Sequence, residues 1–230
     1  MTYAAALLGL GALGAVVGLV LRARLTRADY RLPEEAALPR RPLAWVPVVS
    51  AAATPLVWVA LSPGRPATVP AGYVVATWVM VVLAAIDLDV HRLPDAIQLP
   101  AYPGLLVLLA AGSGVTADWG ALGRAALAGG ALLALFVVLV LLAPAGGMGL
   151  GDVKLAGLLG LLLGWLGWGH VIVGTAVTFL LGGVVAVALL VTGRADRGSE
   201  FAYGPVMLVS AVLSLVSTPA LGAWLTAAGR

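Results

Sequence analysis

Eight apolar runs separated by short polar segments constrain this chain more than any other feature of its sequence. The runs cover residues 4–21, 43–61, 71–86, 97–111, 121–143, 155–168, 171–192 and 203–227. An α-helix needs about 20 apolar residues to cross the hydrocarbon core of a bilayer, and most of the runs approach that length. The sequence therefore predicts an all-α, polytopic transmembrane bundle with about eight spans. The two shortest runs, 97–111 and 155–168, either extend into neighbouring polar motifs or do not cross fully.

The composition agrees with a membrane protein and excludes several classes of site. Hydrophobic residues make up 62% of the chain and charged residues 10%, whereas a soluble domain carries about 25% charged residues. There is no cysteine, which excludes disulfides, thiolate catalysis and a cysteine-ligated zinc site. The excess of 13 Lys and Arg over 10 Asp and Glu is small. We interpret it as topology and lipid contact, with no nucleic-acid partner.

The distribution of arginines predicts the orientation of the bundle. Segment 22–42 carries six arginines, and cytoplasmic loops are enriched in such residues. Loops 22–42, 87–96, 144–154 and 193–202 are then cytoplasmic, and both termini face outside. The first run stays in the protein as a span, because arginines follow it and do not precede it. We expect one domain over 1–230, with 22–42 as a short basic loop that contacts lipid.

An acidic stretch follows the third run and is the first candidate for chemistry. Asp87 directly ends that run, and a carboxylate near membrane depth is costly enough to need a reason. Asp89 and His91 are expected to lie further into the loop. Pro94 interrupts a helix there, and Asp95 is placed to cap the next one.

A glycine-rich stretch before the sixth run is the second candidate. It reads Gly-Gly-Met-Gly-Leu-Gly-Asp-Val-Lys over 146–154, and its glycines allow bends and close approach of another chain. Asp152 begins the next run, where the helix dipole favours a carboxylate. Two helices separate Asp87 from Asp152, so the chain returns to the same side and the two can meet. Two close carboxylates share a proton, and such a pair can activate water against an amide.

Other interpretations of these residues remain open from their chemistry alone. A helix cap accounts for Asp152, and a solvated loop accounts for Asp87. Asp87, Asp89, His91 and Asp95 also suit a metal site of the oxygen-and-imidazole type. An ion- or proton-coupled transporter uses acidic residues within spans, although it predicts charges near the bilayer middle and an inverted repeat, and we find no repeat. A non-enzymatic membrane subunit is a further alternative.

Taken together, the motifs resemble the type IV prepilin peptidase family of Gly-x-Gly-Asp intramembrane aspartyl proteases. The family's first motif is similar to Ile-Asp at 86–87, Leu-Pro-Asp at 93–95 and Leu-Pro at 99–100. Its Gly-x-Gly-Asp motif is similar to Gly-Leu-Gly-Asp-Val-Lys at 149–154, and the segment before its last helix is similar to Phe-Ala-Tyr-Gly-Pro at 201–205. Preflagellin peptidases and signal-peptide peptidase relatives share the class, but the Leu-Pro-Asp stretch favours the prepilin branch.

The resemblance implies an aspartic endopeptidase with Asp87 and Asp152 as catalytic residues. Its substrate would be a prepilin or pseudopilin of a type IV pilus or secretion system, cleaved after a basic leader at the cytoplasmic face of the inner (plasma) membrane. Neither a metal nor another cofactor is part of this prediction. The residues expected to shape the site or meet the leader are Gly149, Gly151, Lys154, Pro94, Asp95, Asp89 and Glu200.

The chain departs from the bifunctional members of that family in its first loop. Those members carry a cysteine-containing insertion after the first span and N-methylate the trimmed pilin with S-adenosylmethionine. Here only the short basic loop 22–42 is present, without cysteine. The chain therefore resembles a short form without the methyltransferase insertion.

Overall fold

The computed structural model describes residues 3–142, 149–193 and 202–228, with side chains up to residue 217 in the last helix. These residues form eight α-helices and one short 3-10 turn, Pro33–Glu35, and they contain no strand. The helices are α1 (Tyr3–Leu25), α2 (Trp45–Leu61), α3 (Thr68–Val90), α4 (Asp95–Thr116), α5 (Trp119–Leu142), α6 (Leu150–Leu166), α7 (Trp168–Val191) and α8 (Gly204–Ala228). The predicted all-α architecture is confirmed.

Five of these helices are long and apolar enough to cross a membrane. They are α1, α3, α4, α5 and α7, with 22 to 24 residues each. Helix α2 and the described part of α8 are apolar but shorter. A multi-pass membrane protein follows from these lengths and compositions. The count of eight spans and the outward placement of both termini stay predictions.

The two short runs both extend into the neighbouring motifs. Helix α4 begins at Asp95 and reaches 22 residues, although Pro100 and Pro103 lie inside it. Helix α6 begins at Leu150 and still has only 17 residues. It ends at Gly167, whose φ of 142° is accessible to glycine and strained for other residues, and α7 begins at the next residue.

Helix α6 forms the centre of the bundle. Every residue from 155 to 165 is buried, and the helix packs against α4, α5, α7 and α8. Its contact with α5 is close, because a Cβ at Gly160 would lie 2.6 Å from the carbonyl oxygen of Ala128. Small residues of this kind allow helix backbones to approach within membranes. A helix enclosed by protein does not need the length that a lipid-facing span requires.

Helix α3 is longer than the apolar run that predicted it. It continues through Asp89 to Val90 and ends at His91, which adopts the left-handed conformation with φ of 51°. The expectation that Asp89 lies in the loop is therefore wrong. Val90 belongs to a buried apolar cluster with Leu25 and Val46, and this burial, together with the Arg31–Asp89 ion pair, extends the helix past the apolar run.

Candidate active site

Asp87 lies in the last turn of α3 and is 4% exposed. Its Oδ2 accepts a 2.9 Å hydrogen bond from the backbone N–H of Gly204, at the start of α8. A Cβ on Gly204 would lie 2.8 Å from this oxygen, so only glycine allows the backbone to approach so closely. Pro205 suits the first turn of α8, where a missing N–H costs no helical hydrogen bond. The Gly-Pro pair therefore shapes the surroundings of Asp87.

Asp152 lies in the first turn of α6 and is 8% exposed. Its Oδ2 accepts the backbone N–H of Gly149, three residues earlier, at 3.3 Å. Gly149 has an extended backbone and precedes the helix, so the carboxylate reaches back as the acidic member of a capping box does. The prediction that Asp152 starts a helix is correct.

The two carboxylates come from opposite ends of their helices yet belong to one site. An electrostatic interaction links Asp87 with Asp152, and another links Asp152 with Tyr203, the residue before Gly204. In the described part of the chain, neither carboxylate forms an ion pair with a cation. The end of α3, the start of α6 and the start of α8 thus converge on two buried acids that form no ion pair within the described residues, although the nearby His91 interacts electrostatically with Asp87.

Asp89 lies two residues beyond Asp87 and faces a different environment. Its carboxylate accepts two hydrogen bonds from Arg31, at 2.7 and 2.9 Å, and one from the Tyr30 hydroxyl at 2.7 Å. The backbone N–H of Arg41 adds a fourth bond at 3.1 Å. Burial, followed by the hydrogen bond to Asp89, raises the pKa of Tyr30 to about 12. Both oxygens of Asp89 are therefore engaged in hydrogen bonds that hold the first loop against α3.

A second ion pair fastens the same loop. Arg92 donates from Nε and Nη2 to the two carboxylate oxygens of Glu35, at 2.8 and 3.0 Å. This bidentate bond holds the pKa of Glu35 below its ordinary value. The basic composition of segment 22–42 predicts a linker that contacts lipid, and it does not predict this docking on α3. The sequence does contain acids and arginines that can pair, namely Asp89 with Arg31 and Glu35 with Arg92. However, the partners are more than 50 residues apart, and no spacing rule predicts which of them meet.

Three links join the start of α4 to the start of α6. The Lys154 ammonium pairs with the Asp95 carboxylate, the Gln98 amide donates to the carbonyl of Gly151 at 2.9 Å, and the Tyr102 hydroxyl donates to the carbonyl of Lys154 at 2.7 Å. The expectation that Asp95 caps α4 is wrong. Pro94 occupies the cap position without a side-chain hydrogen bond, and Asp95 pairs with α6.

Gln98 and Tyr102 were missed at the sequence level although a signal existed. They are polar residues four apart within a predicted span, and such a spacing places both on one helix face. Gln98 is fully buried. Gly151 also has a steric role, since a Cβ there would lie 2.9 Å from the Cβ of Leu93. Helix α4 therefore sets the position from which Asp152 projects.

The described residues contain no group of three or more His, Cys, Asp or Glu side chains that could hold a metal ion. The four candidate ligands of the acidic stretch diverge, because Asp89 bonds to Arg31 and Asp95 pairs with Lys154. Residues 146–148, Glu200 and Phe201, which also belong to the predicted motifs and site, lie outside the described residues.

An apolar cavity of about 460 Å³ lies next to the candidate site, on the side of α2 and α8. Its lining includes Leu88 and Pro205, the immediate neighbours of Asp87 and Gly204. Further along, the cavity is bordered by Leu56 of α2, Met80 of α3 and Leu208 of α8. An elongated apolar segment could therefore lie beside the buried carboxylates.

Comparison with known proteins identifies the family. The sequence profile of the type IV leader peptidase family matches residues 74–191. These residues run from α3 to the end of α7 and make up just over half of the chain. Both Asp87 and Asp152 fall inside the match. The chain belongs to the type IV leader peptidase family.

Curated relatives from this family are named prepilin leader peptidase/N-methyltransferase. The relative from Aeromonas hydrophila is 31% identical over 149 residues, covering 64% of this chain and 50% of its own length. The relative from Pseudomonas aeruginosa is 30% identical over 141 residues, covering 61% and 47%. The chain thus spans about half the length of the leader peptidases it matches. No solved structure gives a significant match.

Proposed function

We propose that this protein is an aspartic endopeptidase that removes the leader peptide of prepilins or pseudopilins, with Asp87 and Asp152 as its catalytic pair. Membership of the type IV leader peptidase family supports the class of reaction. The observation that carries the proposal is the pair of buried carboxylates on α3 and α6, which interact electrostatically and form no ion pair with a cation among the described residues.

The chemistry follows from the burial of two like charges. Because both cannot ionise easily in one site, one carboxyl holds a proton while the other stays charged. The charged member takes a proton from a water molecule that attacks the amide carbonyl. The protonated member then supplies a proton to the leaving nitrogen. The backbone N–H groups of Gly204 and Gly149 each fix one carboxylate by a hydrogen bond, which orients the pair before substrate arrives.

The apolar cavity accounts for the hydrophobic part of such a substrate. A prepilin presents a basic leader followed by an apolar helix, and the scissile bond lies between the two. We place the apolar helix in the cavity beside Leu88 and Pro205, so that the bond meets Asp87 at the end of the span. Asp89 and Asp95 then shape the site through their arginine and lysine partners and do not meet the leader directly. The active site faces the cytoplasm in this proposal.

The experiment is cleavage of a co-expressed prepilin in membranes that contain the wild type, Asp87→Asn, Asp152→Asn or the double variant. Each substitution keeps the side-chain shape and removes the ionisable carboxyl. We expect each single variant to leave only full-length prepilin, about as completely as the double variant, because residues that act as one unit are not additive.

Asp29→Asn is the matched control, since Asp29 is exposed in the first loop and the same carboxyl is removed. It should cleave as the wild type does. Membrane insertion of every variant is checked by its level in the membrane fraction. If Asp87→Asn or Asp152→Asn cleaves as well as the wild type, the assignment of the catalytic pair is wrong.

A further inference from the structure

A basic cavity of about 210 Å³ lies on the other side of α3 from the candidate active site. Three arginines and one acid contribute charge to its lining: Arg22, Arg40, Arg41 and Asp89. Residues two apart on a helix differ by about 200° around its axis. Asp89 therefore faces this cavity while Asp87 faces α8, and the two sites are separate although they share the last turn of α3.

Among the described residues that line this cavity, Asp89 is the only acid and its charge is already compensated, so the charge of the cavity is positive. Both oxygens of Asp89 accept hydrogen bonds from Arg31, and Tyr30 and the backbone of Arg41 complete its coordination. Among the described residues, the side chains of Arg22 and Arg41 have no hydrogen-bond or ion-pair partner. Arg40 donates only one nitrogen, Nη1, to the carbonyl of Thr26. Three guanidinium groups thus line one cavity with most of their donors unused.

Guanidinium groups in this arrangement suit a phosphate. Arginine presents planar pairs of donors that match phosphate oxygens, and such charge-assisted bonds are stronger than neutral ones. The cavity also adjoins lipid-facing surface. Arg22 lies one turn or less beyond the exposed apolar residues Leu19 and Val20 of α1, a helix that is suited to cross the membrane.

We propose that this cavity binds the headgroup of an anionic phospholipid. The phosphate lies between Arg22 of α1 and Arg40 and Arg41 of the loop, and the acyl chains lie along the apolar face of α1. A soluble phosphate would gain nothing from that face, whereas a lipid uses both surfaces. The headgroup joins α1 to the loop that is docked on α3, so bound lipid also stabilises the folded state.

The test is native mass spectrometry of the full chain in detergent, titrated with phosphatidylglycerol or with phosphatidylcholine of the same acyl chains. Arg22→Gln combined with Arg41→Gln removes two cavity charges without breaking a described side-chain hydrogen bond. Arg24→Gln combined with Arg27→Gln is the matched control. Both of these arginines are exposed in the same region, neither lines the cavity, and the net charge falls equally.

We expect the wild type to bind phosphatidylglycerol more tightly than phosphatidylcholine. The cavity variant should lose about tenfold or more in affinity for phosphatidylglycerol, as expected for lost charge-assisted bonds, and the control less than about twofold. Equal loss in both double variants would show diffuse charge attraction and overturn the site. No loss in the cavity variant would overturn it as well. Displacement of the lipid by inorganic phosphate at equal concentration would overturn the assignment to a lipid.

Discussion

The backbone N–H of Gly204 donates a 2.9 Å hydrogen bond to Oδ2 of Asp87, and the two residues are 117 positions apart. The contact leaves no room for a side chain, because a Cβ on Gly204 would lie 2.8 Å from the same oxygen. Gly204→Ala should therefore displace either the carboxylate or the start of α8. We expect prepilin cleavage to fall by about 100-fold, since small misplacements of reacting groups cost this much.

Gly183→Ala is the control for that substitution. Gly183 lies in α7, and nothing surrounds the position where its Cβ would be. Cleavage rates in membranes should separate the two glycines, with Gly183→Ala close to the wild type. Equal activity of both alanine variants would mean that the hydrogen bond to Asp87 does not matter for catalysis.

Gln98 holds the chain segment that carries Asp152, through its bond to the carbonyl of Gly151. Gln98→Leu keeps the volume but removes this hydrogen bond between α4 and α6. Loss of one such hydrogen bond costs about 1 kcal/mol, and Asp152 should lose its fixed position. We expect a lower melting temperature in detergent together with slower cleavage. Leu99→Ala, at an exposed neighbouring position, should change neither; a Gln98→Leu variant with wild-type activity would contradict the positioning role.

Asp87 and Asp89 should respond oppositely to the same substitution. Asp87→Asn removes a buried carboxyl that forms no ion pair among the described residues, so the melting temperature should stay unchanged or rise while cleavage stops. Asp89→Asn instead breaks a buried pair and leaves the Arg31 charge uncompensated, which is strongly destabilising. Thermal unfolding followed by tryptophan fluorescence distinguishes the two. If only Asp87→Asn lowered the melting temperature, Asp87 and not Asp89 would be the acid that stabilises the fold.

The ion pair between Glu35 and Arg92 should make the stability of the docked loop dependent on pH. The hydrogen bond from Arg92 holds the folded pKa of Glu35 below its ordinary value of 4.5. Its stabilisation is therefore present above pH 4.5 and is lost as the pH falls through the lower folded pKa. Glu35→Gln should lower the melting temperature at pH 7, and the difference from the wild type should vanish in strong acid. Glu34→Gln, at the exposed neighbour, should show no such pH-dependent difference.

The absence of cysteine gives a clean test of orientation. Asp29→Cys places a thiol in the first loop, and Asp118→Cys places one between α4 and α5, at the other end of α4 from Asp95. If the site faces the cytoplasm, a membrane-impermeant maleimide added to intact cells with a permeable outer envelope should label the variant at 118. The variant at 29 should be labelled only after the inner membrane is opened. The reverse pattern would invert the predicted topology.

The sequence predicted the helices well because hydropathy determines them. Each of the eight apolar runs corresponds to one helix, and both aspartates occupy the helix ends that the runs indicated. The predicted helix ends were wrong where a polar residue near the end of a helix has a distant partner. Helix α3 continues through Asp89 because Arg31, 58 residues away, compensates its charge, and no local pattern encodes such a partner.

The supports of the site were harder to predict than its two acids. Gln98 and Tyr102 act on backbone carbonyls of α6, and a carbonyl acceptor leaves no mark in the sequence. The docking of the first loop likewise depends on Tyr30 and Glu35, which look like ordinary solvated residues. Asp87 and Asp152 were recognisable because a carboxylate beside an apolar run is costly and rare.

The enclosure of α6 has a consequence for how the protein is made. This helix has 17 residues, carries Asp152 and Lys154 in its first turns, and is buried from 155 to 165. A short segment with two charges partitions poorly into lipid by itself during synthesis. Its glycines meet α5 closely only once that neighbour is in the bilayer. We therefore expect α6 to enter the bilayer together with α5, as a helical hairpin.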